Sequence, residues 1–324
     1  MKSRIPLAEE ACLDRCFNIC LDTLHPHIKG RVFSEEMSVE ILYEITQSLH
    51  AEWKTRIHAK ESDILDSYRL TLEPHVYNVL AERYSGMLQT HWTSYRPPKT
   101  STYAFVIVER RCHPNFGWIL RNMAWAGPHM AVHIFCSDLN VRFLRALLGD
   151  KADAFNLHVV FQGNPSRERG KKEVDNLLSD PRTYEMIDSE YILTMEMDCF
   201  LRKKIPDSLF QGGYWGCPWA WKLHEPGGGG ITIRHIPTMI LLCQEYRNLE
   251  EDLPCSQDAW ISKTLMERGI PYPDESIRIS YLMENIPSRT AVGVHQFWTY
   301  VRELPEDTSK WCEIVSDILT LSDM

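Results

Sequence analysis

Apolar positions recur at helical spacing over the first third of the chain. Val39, Leu42, Ile45, Leu49 and Trp53 follow the N-cap candidate Ser34. Val76, Val79, Leu80, Tyr84, Met87 and Leu88 form a second such pattern after Pro74. Cys12, Cys16 and Cys20 share one face of an earlier helix. Almost nothing before residue 95 reads as a strand. Arg96-Pro97-Pro98-Lys99 breaks the helical pattern and reads as a linker. It divides the chain into a helical region, 1–96, and a second domain, 97–324.

Beyond the linker the pattern changes. Tyr103–Val108 is a short continuous apolar run with β-branched residues, as expected of a strand buried on both faces. Ala131–Phe135, Leu157–Phe161 and Tyr191–Met195 repeat it. Helical segments are predicted near Phe116–Trp125, Leu139–Leu148 and Lys171–Leu178, then at Pro237–Arg247 and Gln257–Arg268. A last amphipathic helix carries Trp311, Ile314, Val315, Ile318 and Leu319. Strand–helix alternation predicts an α/β domain with a mostly parallel sheet flanked by helices. Ligands of such sheets collect at the carboxyl ends of the strands. The segments of most interest are therefore Glu109-Arg110-Arg111, Cys136-Ser137-Asp138, Gln162-Gly163 and Glu196-Met197-Asp198.

Composition narrows the classes of partner. With 35 basic and 44 acidic residues among 324 the net charge is −9, so nothing favours non-specific nucleic-acid binding. Ten cysteines are too sparse for a disulfide scaffold. Acids at Glu9, Glu10 and Asp14 fall where a signal peptide needs an apolar run, and no apolar stretch approaches a membrane span. The expectation is a cytoplasmic protein with reduced thiols and no integral membrane segment.

Four constellations carry candidate chemistry. Glu196-Met197-Asp198 ends an apolar strand with two acids one residue apart, which suits a hard cation bridging to phosphate. Gly227–Gly230 permits close backbone approach to a ligand, and neither a P-loop nor a dinucleotide fingerprint is present. Ser256-Gln257-Asp258 opens a helix, with Ser256 as N-cap and Asp258 either favouring the helix dipole or serving as a general base. Gly293-Val294-His295 supplies an imidazole that is either a packed core residue or a ligand for an ion such as Mn²⁺. The Cys12/Cys16/Cys20 spacing matches no common closed zinc pattern and reads as buried small residues.

In this order the four resemble the GT-A (Rossmann-like) fold of nucleotide-sugar-dependent glycosyltransferases, with its DxD acids, glycine loop, xED acid and late metal-binding histidine. Residues 104–300 resemble more narrowly the DUF5672 family. The segments that carry this are Val106–Arg110, Ile134–Asp138, Tyr214–Trp219, the glycine run with Thr232-Ile233-Arg234, and Gly293–Trp298. Two departures stand out: Glu196 replaces the first acid of the DxD, and Gln257 the middle acid of the xED.

The resemblance implies a metal-dependent glycosyltransferase that moves a sugar from a UDP- or GDP-sugar to a hydroxyl of a glycan or other acceptor. Asp198, His295 and Glu196 would hold Mn²⁺ or Mg²⁺. Glu109, Arg110, Glu196, Gly228 and Gly229 would contact the donor, and Asp258 would be the catalytic base. Tyr214, Trp215, Trp219 and Trp221 either form a sugar platform or pack in the core. Two alternatives stand beside this reading: a non-catalytic nucleotide- or sugar-binding relative, and a metal-dependent phosphohydrolase.

Overall fold

A computed structural model describes residues 61–219, 222–247, 256–284, 286, 288–297 and 316–322. The patterns at residues 12–20 and 34–53, and Trp221, lie outside them. The chain divides into two compact units, residues 1–85 with 296–320 and residues 86–295 with 321–324.

In the first unit the main described element is helix α1, Glu61–Ser94, whose residues up to Ser85 belong to it. The helix runs through Pro74 without ending there. Proline removes one backbone donor at that point, and the helix continues on either side of the gap. Val76, Val79 and Leu80 are buried, as the spacing predicts. Arg83 Nη1 donates to the carbonyl of Leu319 at 3.0 Å, and the neighbouring Ile318 is buried.

The second unit is built on a six-stranded sheet. Its strands are β1 (Tyr103–Val108), β2 (Ala131–Ser137), β3 (Asn156–Phe161), β4 (Tyr191–Met195), β6 (Tyr214–Cys217) and β7 (Gly228–His235). Their order is β3-β2-β1-β4-β7-β6. A second sheet joins β5 (Cys199–Leu201), β9 (Gly293–His295) and β8 (Leu282–Met283) in that order. Helices α2 (Phe116–Ala126), α3 (Val141–Leu148), α4 (Arg167–Leu178), α5 (Pro181–Glu185), α6 (Ile236–Arg247), α7 (Gln257–Glu267) and α8 (Glu275–Tyr281) complete the unit. Among the described residues no helix is long and apolar enough to cross a membrane.

The sheet is mixed. Strands β1 to β4 pair in parallel, so their carboxyl ends lie along one edge. Strand β7 runs antiparallel to both β4 and β6. The short return from β6 to β7 enforces this, because a parallel crossover needs a longer connection. The central runs are buried on both faces, which explains their unbroken apolar character: every residue of β2 is buried, and so are the four inner residues of β1. Helix α2 buries nine of its eleven residues.

Candidate functional site

The site begins where β4 ends. The β4–β7 ladder runs Thr194 to Thr232 and Met195 to Ile231, and the amide of Glu196 extends it by donating to the carbonyl of Gly230 at 2.9 Å. The chain then turns. Glu196 is exposed, whereas Met197 and Asp198 are buried. Two buried asparagines, on and beside α2, hold the turn and the strand β5 after it. Asn115 Nδ2 donates to the carbonyl of Met197 at 2.8 Å. Asn122 Nδ2 donates to the carbonyl of Leu201 at 2.9 Å, and Asn122 Oδ1 accepts from the amide of Leu201 at 2.7 Å.

Pairing of β5 with β9 sets Cys199 opposite His295. It thereby brings Asp198 and His295 together: the Nε2 atom stands 3.5 Å from Asp198 Oδ1. On the other side of the ring, Nδ1 stands 3.4 Å from Glu284 Oε1 and 3.2 Å from the amide of Gly230. The Cys199 thiol lies 3.8 Å from Asp198 Oδ1. One donor atom from each of Asp198, Cys199 and His295 falls within 4.8 Å of the others, and all three residues are buried.

Burial by itself would lower the pKa of the imidazole. The charges of Glu284 and Asp198 outweigh it and raise His295 to about 9. The Cys199 thiol is pushed well up, first by burial and then by Asp198 and Glu196.

This donor set fits a divalent transition ion. Two ligands that each sit about 2.0–2.3 Å from one ion are separated by roughly the distance seen between Asp198 and His295. Mixed oxygen, nitrogen and sulfur donors suit Mn²⁺ or Zn²⁺ better than Ca²⁺. A bound cation would also offset two buried carboxylates. The glycines leave the room. A Cβ on Gly230 would lie 2.7 Å from both Cys199 Sγ and His295 Nε2, and one on Gly229 would lie 2.8 Å from Glu284 Oε2. Gly229 also has φ +84°, where a side chain is strained.

Asp258 meets the same glycine strand. Its Oδ2 accepts from the amide of Gly229 at 3.2 Å and its Oδ1 from the amide of Ala259 at 2.9 Å. A Cβ on Gly228 would lie 2.5 Å from that Oδ2 and 2.6 Å from Trp219. Ser256 occupies the N-cap position of α7 but makes no capping hydrogen bond with its side chain. Asp175 of α4 does that work, accepting from the amide of Gln257 at 3.2 Å. Burial, more than the nearby charge of Asp258, raises the Asp175 pKa. Arg234, fully buried, donates to Thr232 Oγ1 and to the Tyr184 hydroxyl, both at 2.9 Å. Burial opposes its charge, and Tyr184, Tyr214 and Asp258 sustain it.

Asp198, His295, Gly228, Gly229 and Asp258 are thus gathered at one place, with Glu196 at its exposed margin. Glu109 and Arg110 are held differently. Glu109 is buried and gripped by Arg111 at 2.6 and 2.9 Å. Arg110 pairs with Glu173, lies 4.8 Å over the Phe161 ring, and donates to the carbonyls of Gln162 and Gly163. These contacts tie the end of β1 to β3 and α4. Tyr214 and Trp215 are fully buried, so core packing is the reading that holds for both.

Three residues of the site were not signalled by the sequence. Cys199 follows the acidic turn directly and is recoverable from that adjacency. Glu284 and Asp175 are lone acids without a motif around them, and only β8 and α4 bring them in.

A family model described as a protein of unknown function, DUF5672, matches residues 161–295. This supports the DUF5672 resemblance over those residues; the segments Val106–Arg110 and Ile134–Asp138 lie outside them. The matched span runs from the last residue of β3 to His295 and contains the acidic turn, the glycine strand, Asp258 and Glu284. No curated protein matches the chain.

Proposed function

We propose that this protein is a metal-dependent glycosyltransferase of GT-A type, acting on a nucleoside-diphosphate sugar and a hydroxyl acceptor. The observation that carries the reading is the meeting of Asp198 and His295 at 3.5 Å beside a glycine strand that also meets Asp258. The parallel arrangement of β1 to β4 supports it, since it sets the acidic turn at the carboxyl edge where such folds bind nucleotides.

Asp198 and His295 would hold the cation, with Cys199 beside them. When bound, the ion supplies Lewis-acid stabilisation of the diphosphate leaving group. The exposed Glu196 faces the donor side, where its carboxylate can accept from sugar or ribose hydroxyls. The Gly228-Gly229 backbone lets donor or acceptor approach closely. Asp258 takes the acceptor proton as the new bond from oxygen to the anomeric carbon forms and the bond to the diphosphate oxygen breaks. Its carboxylate is oriented for this by the Gly229 amide. A positioned base of this kind contributes about 10²–10⁴-fold. This role fits inversion at the anomeric carbon.

The test is calorimetry with UDP- and GDP-sugars plus Mn²⁺, followed by assay of donor hydrolysis. Binding that needs the ion and is lost in Asp198→Ala is expected. If no nucleotide sugar binds, the proposal fails. Release of phosphate from simple esters without sugar transfer would instead identify a phosphohydrolase.

A further inference from the structure

Glu284 is a buried carboxylate that the proposed chemistry does not use. It is 5% exposed. Its Oε1 faces His295 Nδ1 at 3.4 Å, and its Oε2 is buried with no hydrogen-bond partner among the described residues. The Gly229 backbone lies so close to it that a single Cβ there would reach 2.8 Å from Oε2.

Two groups compete for His295 Nδ1. The Gly230 amide, at 3.2 Å, can donate only to a bare Nδ1, which forces the neutral ring to carry its proton on Nε2. That proton then faces Asp198 and blocks the nitrogen as a ligand. In a neutral ring Glu284 can accept only from a protonated Nδ1, which leaves Nε2 bare; in the charged ring both nitrogens carry protons, and the Nε2 proton is the one an ion displaces. A charge-assisted bond from the ring to a buried carboxylate is the stronger of the two. It also relieves a carboxylate that otherwise lies buried without a donor.

We infer that Glu284 is a positioning residue: it accepts the Nδ1 proton of His295 and so keeps Nε2 turned to Asp198 as a cation ligand. Carboxylates behind a ligating histidine commonly act in this way. The inference rests on the metal reading of the centre, and it concerns a residue outside the ligand set proposed for it.

The experiment uses the full chain labelled with nitrogen-15 in its histidine rings, with Zn²⁺ as a diamagnetic probe, beside calorimetry with Zn²⁺ and Mn²⁺. In the wild type the His295 Nδ1 is expected to carry a proton with and without the ion, and Nε2 is expected to shift when Zn²⁺ is added. Glu284→Gln is expected to lose about 10–100-fold in affinity for either ion. Glu284→Asp, which keeps the charge, is expected to recover part of the loss. A bare Nδ1 in the Zn²⁺-loaded wild type would overturn the inference without any variant. Unchanged affinity in a folded Glu284→Gln protein would overturn it as well. Failure of the wild type to bind any ion would overturn the metal reading itself, a result separable from the Nδ1 measurement.

Discussion

His295 shows how little of a site one residue contains. In sequence it is a histidine beside aromatics, the usual description of a packed core side chain. In the fold it is buried between Asp198 and Glu284, and their charges override the burial that would otherwise favour the neutral ring. A pKa raised from 6.5 to about 9 stabilises the fold fully below 6.5, and the contribution is lost as pH rises through about 9. The ion-free protein is therefore expected to lose stability over that window, on the order of 3 kcal/mol. Urea denaturation across the window tests this, and His295→Gln should flatten the slope. Gly230 makes the complementary case. Gly230→Ala would set a methyl group 2.5 Å from His295 Cδ2. Overpacking of this kind costs about 1–3 kcal/mol. Ion affinity measured by calorimetry should fall with it.

The site is assembled by pairings between elements. Strand β5 has three residues, yet its register with β9 sets the acidic turn against His295. Asn122 holds β5 to α2 through two hydrogen bonds to one residue, Leu201. Asn122→Ala leaves a buried amide and a buried carbonyl unpaired, at about 1–3 kcal/mol for each group. We expect a lower urea midpoint and weaker Mn²⁺ binding, the second because Asp198 is carried at the entrance to β5. Arg278 of α8 acts on the other approach. It is buried and donates to the carbonyls of Leu223, Glu225 and Pro273, fixing the segment that leads into the glycine strand. Arg278→Lys cannot reproduce this planar set of donors. Faster hydrogen exchange across 222–230 is the expected consequence.

At the scale of the whole molecule the net charge of −9 acquires a local meaning. An acidic chain that binds a diphosphate needs compensating positive charge, and Arg110 is engaged by Glu173 at the end of β1. On the proposed reading, a cation held by Asp198 and His295 would meet that need. Ion binding to the folded chain alone raises its stability by mass action, about 2.7 kcal/mol at a hundredfold excess over Kd. Thermal melts with and without Mn²⁺ should show the shift in the wild type and in Arg110→Ala, and not in Asp198→Ala.

Much of the second unit was legible from pattern. Strands buried on both faces read as unbroken apolar runs, and the sequence placed β1 and β4 at the bounds observed. The acidic turn, the glycine run, Asp258 and His295 were also visible, because each is an unusual residue type at the end of an element. The antiparallel course of β7 was not legible. Its first three residues are glycines, which carry no strand propensity and no alternation. The capping of α7 departs from its local pattern for a related reason. The serine stands at the expected position, but the acceptor comes from Asp175, distant in sequence. Cys199, Glu284 and the two asparagines joined the site only through pairing in space. Local sequence determined which segments became strands and helices, since burial and periodicity act over a few residues. The tertiary structure decided which charges face one another, since contact between distant residues depends on register and packing that no local pattern encodes.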